Sequence, residues 1–314
     1  MLLGSQFIRQ SRRATVKSTS RGPHGSAAKE ARAAGGEHCN LLRCRPSPPL
    51  DAVVECLWWS RRVGASSALE HQLPTGGTQL VIAGHTNPIA WSSPSGAAHT
   101  WTRAVVHGPQ ALYYLAGPKP AGVAVGASFR PGAAAAMLAA PARELAGRHV
   151  LLEDLWGDSA RALHERLLAA PSPEAALATL DGALRARLRT PLLLHPAVAL
   201  ALSGRGAGVA PASLSEIAAE SGYSAKHVIA CFRDGVGLTP GRYFRIRRLA
   251  AVLRRLTAET RPPLAVIAAD AGYSDQAHLT REFGELAGVT PGRYRPRDAE
   301  SPHHHIPMLK AVTT

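Results

Sequence analysis

Apolar positions change their spacing twice along this chain. From residue 49 to about 130 they fall in short runs, VVECLWW at 53–59, TQLVIA at 78–83 and GVAVGA at 122–127. Turn-forming residues separate the runs, at Pro74-Thr75-Gly76-Gly77, Thr86-Asn87-Pro88 and Gly117-Pro118. Short runs interrupted in this way predict the strands of a compact β barrel or sandwich. Beyond the FRPG turn at 129–132 the period becomes helical, over 133–140, 156–169 and 173–189, the last with Leu177, Leu180, Leu184 and Leu188 one turn apart. Proline and glycine then crowd residues 191–211 and mark a passage into a third pattern.

That third pattern is written twice. Leu-x-x-Ile-Ala-Ala-x-x-Gly-Tyr-Ser runs from Leu214 to Ser224 and again from Leu264 to Ser274; each copy reaches a Phe (Phe232, Phe283) and then TPGRY, at 239–243 and 290–294. The offset is 50 residues as far as the serine and 51 from the phenylalanine, so the second copy holds one extra residue. Leu214, Ile217 and Ala218 share one face of a short helix, with Ser213 or Ser215 as its N-cap. Gly222 stands where a left-handed residue would end that helix. Ser224 caps a second helix, 225–234, whose Val228 and Phe232 pack back on the first. Gly272, Ser274, Leu279 and Phe283 repeat the arrangement. Between the copies, 240–257 reads as one helix with an apolar stripe of Tyr243, Ile246, Leu249, Ala250, Leu253 and Leu256, flanked by Arg245, Arg247, Arg248, Arg254 and Arg255. Two short helices joined through a glycine turn, with the second exposed, have the layout of a helix-turn-helix, and a rigid spacer could hold two of them in successive major grooves.

Charge separates the same regions. Of the net +14, residues 1–50 carry +7, 51–200 carry +2, 201–297 carry +6 and the remainder −1. A basic repeat beside a nearly balanced half suggests that one half meets a polyanion. Four cysteines form no disulfide framework in 314 residues, which fits a reducing cytoplasm. No apolar run approaches a membrane span. The expected organisation is α+β and multidomain: a disordered basic tail at 1–44, a β-rich, barrel-like sensor or dimerisation domain with trailing helices at 45–190, an all-α DNA-binding domain at 191–297, and a flexible tail at 298–314. The tail composition at 1–44 superficially resembles a transit peptide, and an over-extended start explains it better.

The doubled motif with its long linker helix resembles the DNA-binding domain of AraC/XylS-family transcription regulators, over about residues 196–297. The resemblance implies base contacts from the exposed faces of both second helices. In copy two these are Gln276, His278, Thr280 and Arg281; in copy one the matching positions read as Lys226, His227, Ile229 and Ala230. Arginine reads guanine and glutamine reads adenine, whereas isoleucine and alanine offer only apolar contact, so copy one reads as an anchor. Arg242, Arg293 and Arg295 are candidate phosphate contacts. The partners implied are double-stranded DNA, a small-molecule effector, RNA polymerase and a second copy of the chain, at the nucleoid in the cytoplasm. No cofactor, metal site or catalytic residue is expected. Ahead of this module, LPTGG…LV at 73–81, HGP at 107–109, FRPG at 129–132 and L-x-DLWG at 152–157 resemble an uncharacterised domain often found there, although Thr75 stands where that pattern usually has an acidic residue.

Other readings of the first half are weaker. His85, His99 and His107 suggest a cupin-like metal site but lack a carboxylate partner, and His38, Cys39 and Cys44 lack a second ligand pair at zinc spacing. Trp58, Trp59, Trp91 and Trp101 suit a ligand pocket or a core; Arg130 suits a pocket mouth or a structural turn. Cys56 reads as buried. The alternative to a regulator is a DNA-repair or other enzyme using the doubled unit for delivery; it requires an activated, zinc-bound acceptor cysteine, and stoichiometric zinc would favour it.

Overall fold

The structure is a computed structural model that describes residues 29–32, 38–65, 69–85, 87–94, 96, 98–188, 194–203, 213–297 and 302–306. Its strands in chain order are β1 Lys29–Arg32, β2 His38–Cys44, β3 Val54–Val63, β4 Glu70–Gln72, β5 Gln79–Ala83, β6 Ile89–Ser92, β7 Ala98–Trp101, β8 Ala104–His107, β9 Tyr114–Ala116, β10 Gly122–Phe129, β11 His149–Leu151 and β12 His304–His305. They form two antiparallel sheets, one ordered β1-β2-β3-β10-β5-β8-β11 and the other β12-β4-β9-β6-β7.

The expected barrel does not close. Among the described residues the last strand pairs with the first in neither sheet, so each keeps two edges. Strands β3 and β10 run side by side, with Gly126 opposite Trp58. A Cβ on Gly126 would lie 2.2 Å from the Trp58 ring and 2.4 Å from the Leu80 carbonyl oxygen. The indole therefore lies across the sheet face at this glycine.

Helices cover the other face of the large sheet: α1 Ala135–Leu138, α2 Ala142–Leu145, α3 Leu152–Trp156, α4 Asp158–Leu168 and α5 Pro173–Arg185. Leu57, Leu80, Val106, Val125 and Phe129 from the strands meet Leu163, Leu167, Leu177, Leu180 and Leu184 in one core. Leu177, Leu180 and Leu184 are the leucines whose helical spacing predicted α5. Arg130 holds its turn, its Nε donating to the Asp51 carbonyl oxygen at 2.7 Å, and also borders a cavity beside the sheets. Ser172 caps α5 by accepting from the Ala175 N–H.

Two expected tails are partly structured. Residues 38–44, assigned to a disordered tail, are β2, paired with β3 from His38–Val63 to Cys44–Leu57. The rest of 1–37, apart from β1, lies outside the described residues. Residues 302–306, assigned to a flexible tail, add β12 to the edge of the small sheet beside β4. The composition of both segments is polar, but strand pairing satisfies their backbone groups. Leu73 N–H donates to the His303 carbonyl oxygen at 2.7 Å, and the Tyr294 hydroxyl donates to that of Pro302.

Burial lowers the pKa of His149 and His303 to about 4 and that of His304 to about 3. These folded-state values lie below the unfolded one near 6.5, so the unfolded chain binds more protons between them. Stability is full above about pH 6.5 and falls as pH drops towards 4. A loss of about 2 kcal/mol for each such histidine is expected between pH 7 and 5, to be read from urea midpoints across that range.

Candidate nucleic-acid interface

Among the described residues the C-terminal region holds six helices: α6 Pro196–Leu202, α7 Leu214–Ser221, α8 Ala225–Val236, α9 Pro240–Leu256, α10 Leu264–Asp270 and α11 Gln276–Ala287. Their ends are fixed by local chemistry. Ser213 and Glu216 form a reciprocal capping box on α7, and Gly222 ends that helix at φ +73°. Ser224 caps α8 by accepting from the His227 N–H at 3.3 Å. Thr239 caps α9, with Pro240 in its first turn. At 17 residues, α9 gives about 25 Å of rigid spacer between the copies.

The extra residue of copy two is a cap. Asp275, not Ser274, accepts from the His278 N–H, at 2.7 Å, and opens α11. Counting from the caps pairs Ala225 with Gln276, Lys226 with Ala277, His227 with His278, Ile229 with Thr280 and Ala230 with Arg281. This corrects the matching of Lys226 to Gln276, because the inserted residue lies inside the turn and shifts the first helical turn by one.

Val228 and Phe232 of α8, and Leu279 and Phe283 of α11, are buried against their neighbours, as their spacing predicted. Lys226, His227, Ala230, Gln276 and Arg281 are exposed; Ile229, His278 and Thr280 are half-buried. The Thr280 hydroxyl donates to the Gln276 carbonyl oxygen at 2.9 Å, and His278 Nδ1 lies 3.1 Å from Ser274 Oγ. Arg242 and Arg293 are exposed. Arg295 is turned onto its own backbone, its Nη1 donating to the carbonyls of Gly292 and Tyr294.

Glu282, at 5% exposure on α11, did not stand out in the sequence. Arg245 and Arg248 of α9 each donate to it at 2.8 Å. Burial alone would raise its pKa; Arg248, Tyr273 and Arg245 hold it below the usual carboxylate value. The i,i+3 pair Arg245 and Arg248, read simply as polar flanks of the spacer, was the signal available.

The β-rich half grips the far ends of both exposed helices. Gly237, ending α8 at φ +86°, packs so closely on the Ala142 carbonyl that a Cβ would lie 2.7 Å from its oxygen. Gly288, ending α11 at φ +71°, lies against the Tyr113 ring. Tyr113 also donates its backbone N–H to the Leu286 carbonyl and stacks on His71, which contacts the Ala287 carbonyl oxygen at 3.1 Å. Arg143 pairs with Asp234 at 2.8 Å. Residues 108–113, between β8 and β9, thus reach both units through Pro109 and Tyr113, while the first turns of α8 and α11 stay open.

A cavity of about 950 Å³ lies between the sheets and α9, lined among others by Trp58, Trp91, Trp101, Tyr243, Arg247 and Arg254. Trp59 instead packs against the large core. His85, His99 and His107 are not brought together as ligands. His99 stacks on Trp91, and His107 pairs with His149. Cys56 is half-buried beside the cavity, and burial pushes its thiol up, as it does that of Cys44. Neither is the activated nucleophile that a delivery enzyme needs. No helix among the described residues is long and apolar enough to cross a membrane.

Capped helix pairs, duplicated about a rigid spacer and basic on their open faces, define a double helix-turn-helix DNA-binding unit. A family described as a helix-turn-helix domain matches residues 217–297, and one described as a domain of unknown function (DUF6597) matches 42–151. The chain is similar to the right origin-binding protein of Escherichia coli K12, at 40% identity over 87 residues, 27% of this chain and 29% of that protein. It is also similar to the multiple antibiotic resistance protein MarA of Salmonella typhimurium LT2, at 33% over 85 residues, 27% of this chain and 66% of that one. It spans about a third of the length of the curated relatives that it matches at 40% identity. Among solved structures, ToxT from Vibrio cholerae O395 aligns over 81% of this chain and 95% of that one, with 9% identity and a TM-score of 0.40. By its DNA-binding unit the chain belongs to the AraC/XylS family of transcription regulators, with a DUF6597 domain ahead of it.

Proposed function

We propose that this protein is a sequence-specific transcription regulator in which α11 reads bases, α8 anchors, and a small ligand in the β-rich half adjusts the pair. The observation that carries the reading is the contrast between the two open faces. Copy two presents Gln276 and Arg281, with bidentate capacity for adenine and guanine. Copy one presents Lys226, which reaches a phosphate or a base, beside His227 and the weakly informative Ile229 and Ala230. Thr280 and His278 take supporting places, since Thr280 already donates to its own helix and His278 lies against Ser274 just ahead of it. Arg242 and Arg293 serve as phosphate contacts; the fold gives Arg295 a capping role instead.

Coupling to a ligand is supported by chain continuity. His107 and Tyr114 line the cavity, and they bracket the loop that touches Gly237 and Gly288. A ligand that displaces either side chain would move the loop. A wall that mixes aromatic side chains such as Trp91 and Trp101 with arginines such as Arg62 and Arg254 suits a small, partly apolar ligand. DNA, RNA polymerase and a second copy of the chain are the macromolecular partners of this reading, and the nucleoid is where it acts.

DNA selected by the protein from a random pool should be bound more tightly than random DNA across a salt series; equal affinity throughout would overturn the proposal. On the selected site Arg281→Ala should cost about 1–3 kcal/mol and relax preference at one base position. Uniform loss on every sequence would instead make Arg281 a phosphate contact.

A further inference from the structure

We propose that His195, His227 and Cys231 form a zinc site that clamps the first recognition helix, α8, to α6. Among the described residues these form a cluster of three ligand-bearing groups whose candidate donor atoms all lie within 4.8 Å of one another. His227 Nε2 stands 3.4 Å from His195 Nε2 and 3.3 Å from Cys231 Sγ. Zinc binds imidazole nitrogen at about 2.0 Å and thiolate sulfur at about 2.3 Å, so donors around a tetrahedral ion lie about 3.3–3.5 Å apart. Two edges of the cluster already have that length, and the third, at most 4.8 Å, closes with a small rotation of a side chain. His227 and Cys231 are one turn apart on α8, which fixes their spacing, and Tyr223 stacks on the His227 ring and contacts that of His195. Two nitrogens and a sulfur, with a fourth position left to water, make a donor set that zinc takes readily.

A second observation comes from the repeat. Counted from the caps, Cys231 occupies the place of Glu282 in copy two. There Glu282 ties α11 to α9, the helix preceding that unit, through Arg245 and Arg248. Copy one has no carboxylate at this place; it has a thiol, and the helix preceding it offers His195. The ion ties α8 to α6 where the ion pair ties α11 to α9.

Binding requires deprotonation of the Cys231 thiol, whose proton passes to solvent, and an unprotonated Nε2 on both histidines. His195 Nδ1 accepts from the Ala197 N–H at 3.2 Å. With Nε2 on the metal the ring proton moves to Nδ1, so this cap bond is exchanged for coordination. His227 is then a ligand, and Lys226 is left as the polar contact of copy one with DNA.

The inference does not depend on the regulator reading and is tested without DNA. Full-length protein, stripped of metal and titrated with Co²⁺, should take up one ion per chain and develop a near-ultraviolet thiolate-to-cobalt band, with visible bands of tetrahedral intensity. Zn²⁺ should abolish both and raise the thermal midpoint. Cys231→Ser should lose the thiolate band, and His195→Ala should weaken Zn²⁺ binding at least about tenfold, while far-ultraviolet circular dichroism stays that of the parent. Absence of a thiolate band in the parent, or zinc uptake unchanged in both variants, would overturn the site. Loss of zinc with Cys44→Ser but not with Cys231→Ser would place the ion elsewhere and overturn it equally.

Discussion

Glu70→Gln should destabilise the fold by about 3–5 kcal/mol, the usual cost of removing one partner from a buried ion pair. Glu70 is 1% exposed and receives Lys119 Nζ at 2.5 Å, His304 Nδ1 at 3.2 Å, Arg297 at 3.8 Å and Arg62 at 3.9 Å. Burial alone would raise its pKa; Lys119 first, then His304 and Arg297, hold it far below the ordinary carboxylate value. The amide keeps the shape and removes the charge, leaving the half-buried Lys119 without its compensating carboxylate. Because His304 and Arg297 come from the far end of the chain, the loss should also free β12. The checks are a urea midpoint and limited proteolysis, with cleavage expected near residue 300. Adding Lys119→Met should recover part of the loss, since removing both charges is less harmful than stranding one. If Glu70→Gln shifts the midpoint by less than about 1 kcal/mol, the cluster is solvated and the argument fails.

Alanine at the four helix-ending glycines should divide them into two classes. Gly222, Gly237, Gly272 and Gly288 all have φ between +71° and +86°. Each pays the left-handed penalty of about 1–2 kcal/mol. At Gly222 and Gly272 a Cβ meets nothing within 4 Å, so that penalty is the whole cost. At Gly237 it would meet the Ala142 backbone, which cannot step aside, and overpacking adds about 1–3 kcal/mol. Gly288→Ala should fall between, because the Tyr113 ring can swing away at the expense of its stacking on His71. Thermal midpoints of the four variants measure the order. Equal values at Gly237 and Gly222 would mean that the β-rich half does not press on α8.

How much was legible beforehand follows from the range of each interaction. The first copy of the repeat was readable, because caps, glycine turns and inward residues are set within a dozen positions: Ser213, Gly222, Ser224, Val228 and Phe232 all took their expected places. The β-rich half was readable as strands but not as two open sheets, since strand order depends on pairings such as Gly122–Arg62 that no local pattern encodes. The polar ends were misjudged for the same reason. His38–Cys44 and His304–His305 become strands only because a distant edge is waiting for them. Among the candidate contacts, exposure was foreseen for Gln276 and Arg281. The capping role of Asp275 was not, and it shifted the register by one. The cluster at His195 escaped because 32 residues separate His195 from His227.

The chain leaves the β-rich half after α5, builds the DNA-binding unit, and comes back to it as β12. That unit is therefore held like a gate on two hinges rather than a flag on one. A displacement in the β-rich half therefore reaches both helix pairs at once, through the chain at either end and through the contacts at Gly237 and Gly288.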